Sequence, residues 1–438
     1  MNAIPEQDTV VGSAAATMTD DTPAPPGGWK NPGIGFMAPL AFAVVAVNGG
    51  LLAAMILTMS LKAAIVGGDQ ATTVFSIAEL FASIFALVGY PVIGRLSDRT
   101  LSRFGRRRPY LVIGAVLILL GGFAILAATS AFVLTVGISL LMLGSVTSLV
   151  ACLAVVPDQV EPAKRGMPSA MIGLGTPVGA LVGLFLAQLV APNLALMIMV
   201  PTGLSALASL VFAAVLKDRQ LDPAERPAFR AKDLLGTFWV NPFVKTSFGL
   251  AWISRLLLFL GVAAVNAFQA FYLIMAQHVS PAEVAGKIFQ ATLVLTVMSL
   301  VFAPIAGKIS DKVGARKPFV IASAIVFAIG LALVAQATTF TGFLFAIAVM
   351  GLGQGVYFAV DFALVTQVLP DQTNPAKDLG IMNLASNLPA SIVPAIAPLL
   401  LAIGATATMP QNFTSLFMFG AVAALIGGLV IIPIRGVK

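Results

Sequence analysis

Charge is scarce in this chain. Only 10% of its 438 residues are Asp, Glu, Lys or Arg, and 59% are hydrophobic, where a soluble domain carries roughly 25% charged residues. So few charges cannot clothe a globular surface in water, which argues against an ordinary soluble enzyme or a nucleic-acid-binding module. The lipid bilayer is the solvent this composition fits. Cysteine occurs once, at Cys152 inside an apolar run. No disulfide within the chain is possible, and the thiol reads as a small buried hydrophobe. Histidine also occurs once, at His278, in an expected outer loop. With one His and one Cys, no zinc-type cluster and no Ser–His or Cys–His arrangement can be drawn, and no nucleotide-binding loop is present. An enzyme, a metal site and a bound cofactor are therefore not expected. Residues 1–30 lack the basic stretch and apolar core of a secretory signal. They are rich in Ala, Thr, Asp and Pro, and 1–35 reads as a disordered cytoplasmic tail.

Long apolar runs are what the chain does have. A helix needs about 20 largely apolar residues to cross the hydrocarbon. Twelve such spans can be drawn, near 37–61, 71–93, 110–130, 132–156, 167–190, 195–216, 247–274, 288–306, 318–337, 341–366, 379–404 and 413–434. With twelve spans, all but three of the 25 Lys and Arg residues fall on one side. Lys62 and Lys287 fall on the other, and Arg255 lies within a span. Lys and Arg concentrate on the cytoplasmic side of membrane proteins, so both termini are expected there, in the cell membrane.

The two halves repeat. Gly94-Arg-Leu-Ser-Asp98-Arg99 recurs as Gly307-Lys-Ile-Ser-Asp311-Lys312, and each is followed by a basic cluster and a proline, Gly105-Arg-Arg-Arg-Pro109 and Gly314-Ala-Arg-Lys-Pro318. Further on, Pro157-Asp-Gln-Val-Glu-Pro-Ala-Lys164 recurs as Pro370-Asp-Gln-Thr-Asn-Pro-Ala-Lys377. Six spans against six, starting on the same side, make two parallel bundles with a site near the midplane between them. The expected fold is an all-α membrane protein of 12 transmembrane helices in two pseudo-symmetric six-helix bundles, 36–216 and 247–434. A cytoplasmic linker (217–246) joins them, with an interfacial segment around Phe238, Trp239 and Phe243, and a short tail (435–438) follows.

The Gly-x-x-x-Asp-Arg…Gly-Arg-Arg pattern after span 2, looser after span 8, resembles the signature loop of the major facilitator superfamily. The longer form Ser97-Asp-Arg-Thr-Leu-Ser-Arg-Phe-Gly-Arg-Arg-Arg-Pro109 is similar to the sucrose-transporter and glycoside–pentoside–hexuronide branches. The segments Gly351-Leu-Gly-Gln-Gly-Val-Tyr-Phe-Ala-Val-Asp361 and Lys377-Asp-Leu-Gly-Ile-Met-Asn383 resemble bacterial, notably actinobacterial, members of that group. The resemblance implies a latch at the cytoplasmic helix ends, carried by Gly94, Asp98, Arg99, Gly105 and Arg106 and, in the second half, Gly307, Asp311 and Arg316. Gly94 would let two helices approach, Asp98 would accept from N–H groups at a helix start, and Arg99 and Arg106 would pair with Asp158 or Glu161. A generic positive-inside loop remains the plainer alternative. Departures limit the likeness. Ala86 and Tyr90 stand where the melibiose-type branch carries paired aspartates, which argues against that sodium site. Leu143-Gly-Ser-Val-Thr-Ser148 holds no acid where plant sucrose carriers have one.

Three ionisable residues fall inside spans: Glu79, Arg255 and Asp361. A charge at a helix centre costs about 2.5–3.5 kcal/mol on insertion scales, and such residues usually face a cavity or a partner. Arg255 and Asp361 have opposite signs and similar depths, and are expected to pair in at least one state. The pair is either a fixed strut or a site where Asp361 exchanges a proton or solute for Arg255; Arg255 snorkelling to the interface is a third possibility. Gln354, Tyr357 and Asp361 share one helix face by their spacing, as do Trp252, Arg255, Asn266 and Gln269 within a broader stripe. Asn383 and Asn387 are one turn apart, and Asn48 lies amid span 1. These are candidate solute contacts, with Tyr357 and Trp252 able to stack on a sugar ring; each can equally be interhelical glue or core. Glu79 is either a proton acceptor or a buried neutral acid, and its repeat mate is Thr292. Gly175, Gly179 and Gly183 follow small-xxx-small spacing and read as close packing.

The functional expectation is a secondary transporter acting as a monomer on a small-molecule substrate, coupled to the proton gradient. A sugar or glycoside symporter comes first, efflux of a small organic molecule second, and a non-transporting receptor or scaffold third.

Overall fold

The structure, a computed structural model, describes residues 33–221, 243, 245–370, 375–406 and 410–434, with backbone alone at 163, 362, 375–377 and 379. The expected tail at 1–32, the expected interfacial segment at 222–242 and the last four residues lie outside the described residues. All regular structure among them is helical.

Helix α1 runs Ile34–Ala53, passes through a π turn at Ala54–Thr58 and continues as Met59–Gly67. The helix then reverses at once into α2 (Ala71–Asp98). By apolarity alone Ile34–Asp98 is one 65-residue run; Gly68, at φ 52°, and the 3-10 turn Gly68–Gln70 divide it. A residue with a Cβ would be strained in that left-handed conformation. The first half continues with α3 (Arg108–Ala127), α4 (Ala131–Gln159), α5 (Gly166–Leu189) and α6 (Leu194–Val215). The second half holds α7 (Thr246–Phe271, closed by a π turn at Tyr272–Ala276), α8 (Pro281–Val313), α9 (Lys317–Gln336) and α10 (Phe340–Val368). It ends with α11 (Pro375–Asn387 and Pro389–Ala402) and α12 (Phe413–Val430). Pro389, without an N–H, breaks α11 after Asn387. The helices match the expected spans in number and order, but α2 and α8 run on through the charged motif. The 33 residues of α8 make a rod of about 50 Å, longer than the roughly 30 Å of hydrocarbon. An apolar count marks the bilayer, not the helix end.

The halves pack by one scheme. In the first, α4 lies on α3 and α2, and α1 lies on α5 and α6; in the second, α10 lies on α9 and α8, and α7 lies on α11 and α12. Small residues set the closest approaches. A Cβ on Gly183 would run into the Gly49 carbonyl, and one on Gly49 would stand 2.9 Å from the Gly179 oxygen. Gly175, Gly179 and Gly183 therefore seat α5 on α1.

Between the halves, α2 meets α11 and α5 meets α8, a pair of contacts that the repeat exchanges. These contacts crowd toward one face, the end where α2 and α5 are remote from the signature loops. Phe185 of α5 packs on Phe289 of α8 at 5.5 Å between ring centroids, and a Cβ on Gly286 would touch Gln188 at 3.8 Å. Phe75 of α2 packs edge-on against Phe268 and Phe271 of α7. The Pro389–Ala402 part of α11 packs on α2 and on α7, whereas Pro375–Asn387 packs chiefly on α7 of its own half. At the other end of α5, a Cβ on Gly166 or Gly173 would meet nothing within 4 Å. Among the described residues, the halves thus close at the far face and part toward the signature-loop face, opening a cleft between them.

Candidate functional site: the loop network and the intramembrane pair

The loop after α2 is tied to its own half by charge. Arg107, 3% exposed, donates from Nη2 to Asp98 at 2.6 Å and from Nε to Asp158 at 2.8 Å. Its Nη1 donates to the Ser97 hydroxyl at 2.7 Å, and Arg106 also pairs with Asp158. Burial acts to lower the Arg107 pKa, and Asp158 and Asp98 outweigh it, holding the guanidinium above its ordinary value. The second half repeats the core of this geometry: Arg316 pairs with Asp311 and donates to Ser310 at 3.0 Å. The loop's helix-start acid is Asp218, just past α6. Its carboxylate accepts from the backbone N–H groups of Arg107 and Arg108, at 2.5 and 2.8 Å. Burial pushes the Asp218 carboxyl above the ordinary carboxylate value, against those N–H groups, which pull it down. Gly105, at φ 96°, is required here, since a Cβ would strike Asp218.

Several expectations need correction. Asp98 binds a guanidinium and not helix-start N–H groups; Asp218 takes that place. Arg106 pairs with Asp158, and the guanidinium that bridges to Asp98 is that of Arg107. Glu161 pairs with Lys164 at 2.7 Å. Gly94 and Gly307 are not close approaches: a Cβ would sit 3.9 Å from Val150 and from Ala359. Both stand at the end where the halves part. Sequence reasoning could have found Arg107, because the repeat aligns it with Arg316. Nothing in the spacing pointed to Asp218, which lies in another stretch of chain.

The two lysines on the far side have local partners. Lys62 donates to the Leu126 carbonyl at the end of α3, at 2.8 Å. Lys287 lies over the Phe340 ring, 4.4 Å from its centroid. His278 is in the α7–α8 connection, as expected, at φ 53°.

Within the second half, Arg255 of α7 pairs with Asp361 of α10. Each lies about three turns or less from the loop-side end of its helix, roughly 10–14 Å along the axis. Their side chains are 13% and 8% exposed. Tyr357, one turn before Asp361, adjoins both charges. Arg255 Nε and Gln354 Oε1 are buried without a hydrogen-bond partner. Tyr357 itself is buried, edge-on to Phe259 and Phe358, so it is not presented for stacking in this state. The Trp252 indole donates to Ile381 O at 2.9 Å, fastening α7 to α11. Asn383 and Asn387 are exposed on the loop-side part of α11 that stands off α2, with Asn387 donating to Asn383 O. Asn266 and Gln269 line a small internal cavity with Thr292, apart from the pair. Asn48 bonds Val44 O and Thr176 between α1 and α5, as interhelical glue. At the repeat mate of Asp361, Ser148 is buried and hydrogen-bonded to Ser209, so the packing scheme does not impose the acid.

The superfamily signature now stands on two matching loops, and its family model confirms it. The Major Facilitator Superfamily model matches residues 34–300 and again 259–437. The chain belongs to that superfamily. Among solved structures of this fold, the nucleoside transporter NupG aligns with TM-score 0.68 at 12% identity, covering 91% of this chain and 99% of that one. A D-xylose-proton symporter aligns with TM-score 0.65 at 16% identity, covering 92% and 98%. The peptide transporter POT, in complex with sulfate, gives 0.69 at 16%, covering 92% and 94%. At these identities the likeness is one of fold. The multidrug resistance protein MdtL of Citrobacter koseri is 38% identical over 95 residues, which is 22% of this chain and 23% of that protein. The chain thus matches less than a quarter of that relative's length.

Proposed function

We propose that this superfamily member is a secondary active transporter that carries a small polar solute, a sugar or glycoside, across the cell membrane by proton-coupled alternating access. The observation that carries the reading is the Arg255–Asp361 pair with its unpartnered neighbours. A buried acid held by a cation can release it on protonation. Arg255 Nε, Gln354 Oε1 and the Tyr357 hydroxyl then offer donor and acceptor capacity that a hydroxylated solute matches. The proposal places the signature-loop face in the cytoplasm, because the Lys and Arg residues gather there, so the cleft opens inward. The sucrose-transporter and glycoside–pentoside–hexuronide placement rests on the loop motif and the segment ending at Asp361. A second reading, proton-driven efflux of a small organic molecule, is favoured by the partial match to MdtL.

The test is flux in proteoliposomes under an imposed pH gradient with a panel of sugars, glycosides and apolar cations. Gradient-driven accumulation of a glycoside supports symport; gradient-driven loss of a cation supports efflux. No flux for any member of the panel overturns both. Asp361→Asn is expected to abolish accumulation while leaving downhill solute exchange; if pH-driven uptake is unchanged, Asp361 is a strut.

A further inference from the structure

Glu79 of α2 is 6% exposed, and its Oε2 is buried without a hydrogen-bond partner. Its place in the helix matters more than its burial. Phe75, one turn toward the far face, packs on Phe268 and Phe271 of the opposite half. Ser83, one turn toward the loops, donates its hydroxyl to Ala390 O of the opposite half at 2.9 Å. Positions four apart on a helix share a face, so Glu79 lies in the seam where the two halves close. Thr72 and Ser76 continue the buried polar row outward, and the Ser76 hydroxyl is also without a partner. The row runs about 12 Å from the start of α2 to Glu79.

Among the described residues, no charge on the surrounding helices answers Glu79. On the helices packed against α2, Lys62 is bound to Leu126 O and Asp158 holds Arg106 and Arg107. Arg255 is paired with Asp361 and the Tyr272 hydroxyl donates to Val334 O. Cys152 is buried on the loop-side part of α4, Asp378 stands at the loop-side start of α11, and Asp69 is exposed in the turn before α2.

We propose that Glu79 is a proton-binding site of the far-face seam, and that the seam closes over Glu79 only in its neutral form. An ionised carboxylate sealed there without a partner would be strongly disfavoured. When the seam opens, Thr72, Ser76 and Glu79 meet water from the far face. The carboxylate takes one proton, and the neutral acid then allows Phe75, Ser83, Phe185 and Gln188 to regain their partners. The proton travels with the closure, so this site is distinct from Asp361, which lies within the second half. The proposal rests on the transport reading only in taking the halves to rock.

The test needs no solute. Leu189→Cys and Ala282→Cys, in a Cys152→Ala background, carry spin labels on the far ends of α5 and α8 in lipid nanodiscs. Their distance is measured by electron–electron double resonance from pH 5 to 9. The expected result is a short distance at low pH, with the open-to-closed ratio rising up to tenfold per pH unit above the midpoint, as one linked proton requires. Glu79→Gln should hold the short distance at every pH. Glu79→Asp, which keeps an ionisable group, should retain the response with a displaced midpoint and serves if the Gln variant does not fold. A wild-type distance that ignores pH, a Glu79→Gln profile matching wild type, or a Glu79→Asp midpoint matching wild type overturns the proposal. Failure of flux with this profile intact would count against the transport reading and not against the seam site.

Discussion

Single residues decide the charge chemistry. Arg107 and Arg316 occupy matching places, but Arg107 and Asp158 are 3% and 14% exposed while Arg316 and Asp311 are 18% and 66%. Breaking a buried pair by removing one partner costs about 3–5 kcal/mol, and an exposed pair about 1 kcal/mol or less. Arg107→Ala should therefore lower the thermal midpoint of the purified protein by many degrees, and Arg316→Ala by few. Asp361→Asn should also destabilise, because it leaves Arg255 buried without its counter-charge. Adding Arg255→Gln should recover most of that loss without restoring proton-driven uptake; midpoints and flux measured on the same preparations check both halves of the statement. The opposite charges at equal depth made the Arg255–Asp361 pair readable from the sequence. The rotation of each helix was not readable, which is why Trp252, on an expected stripe, and Asn48, amid span 1, turned out to fasten helices within one half.

At the scale of the helix, small residues and caps set the geometry. Gly183→Ala should disrupt α5 on α1, since the added Cβ meets the Gly49 carbonyl, while Gly203→Ala meets nothing within 4 Å and should gain about 0.5–1 kcal/mol from helix propensity. Yield of monodisperse protein and its thermal midpoint separate the two. Asp218→Ala, which removes the acceptor at the start of α3, should cost about 1 kcal/mol and raise hydrogen exchange at the Arg107 and Arg108 amides. The folded Asp218 carboxyl titrates above its ordinary value of 3.8, so the fold takes up a proton there. Its favourable contribution is complete below the unfolded pKa and is lost as pH rises through the folded one. Asp218→Asn, neutral and still an acceptor, should match or exceed wild-type stability at pH 7 and flatten the acid-side dependence. The glycine row of α5 was visible as spacing, because close packing needs only a period. The loop-to-α6 contact was not, because it joins segments more than a hundred residues apart with no repeat mate to mark it. The full length of α8 was hidden because its ends are charged and helical at once.

For the molecule as a whole, the duplicated order of spans and signature loops carried the architecture. The sequence repeat implied two parallel bundles, and the structure shows the same packing scheme in each and an interface that the repeat exchanges. Which face is closed could not be read from a repeat, since both states of a rocking pair share one sequence. It follows instead from where α5, α8, α2 and α11 touch. Two rigid halves turning about that seam must shorten one face as they lengthen the other. The decisive measurement places a second label pair, Met167→Cys and Val313→Cys, at the loop-side ends of α5 and α8, and compares its distances with those of the far-face pair under the same conditions. Opposite shifts of the two distributions are expected; distributions that stay fixed, or lengthen together, would contradict alternating access by these two halves.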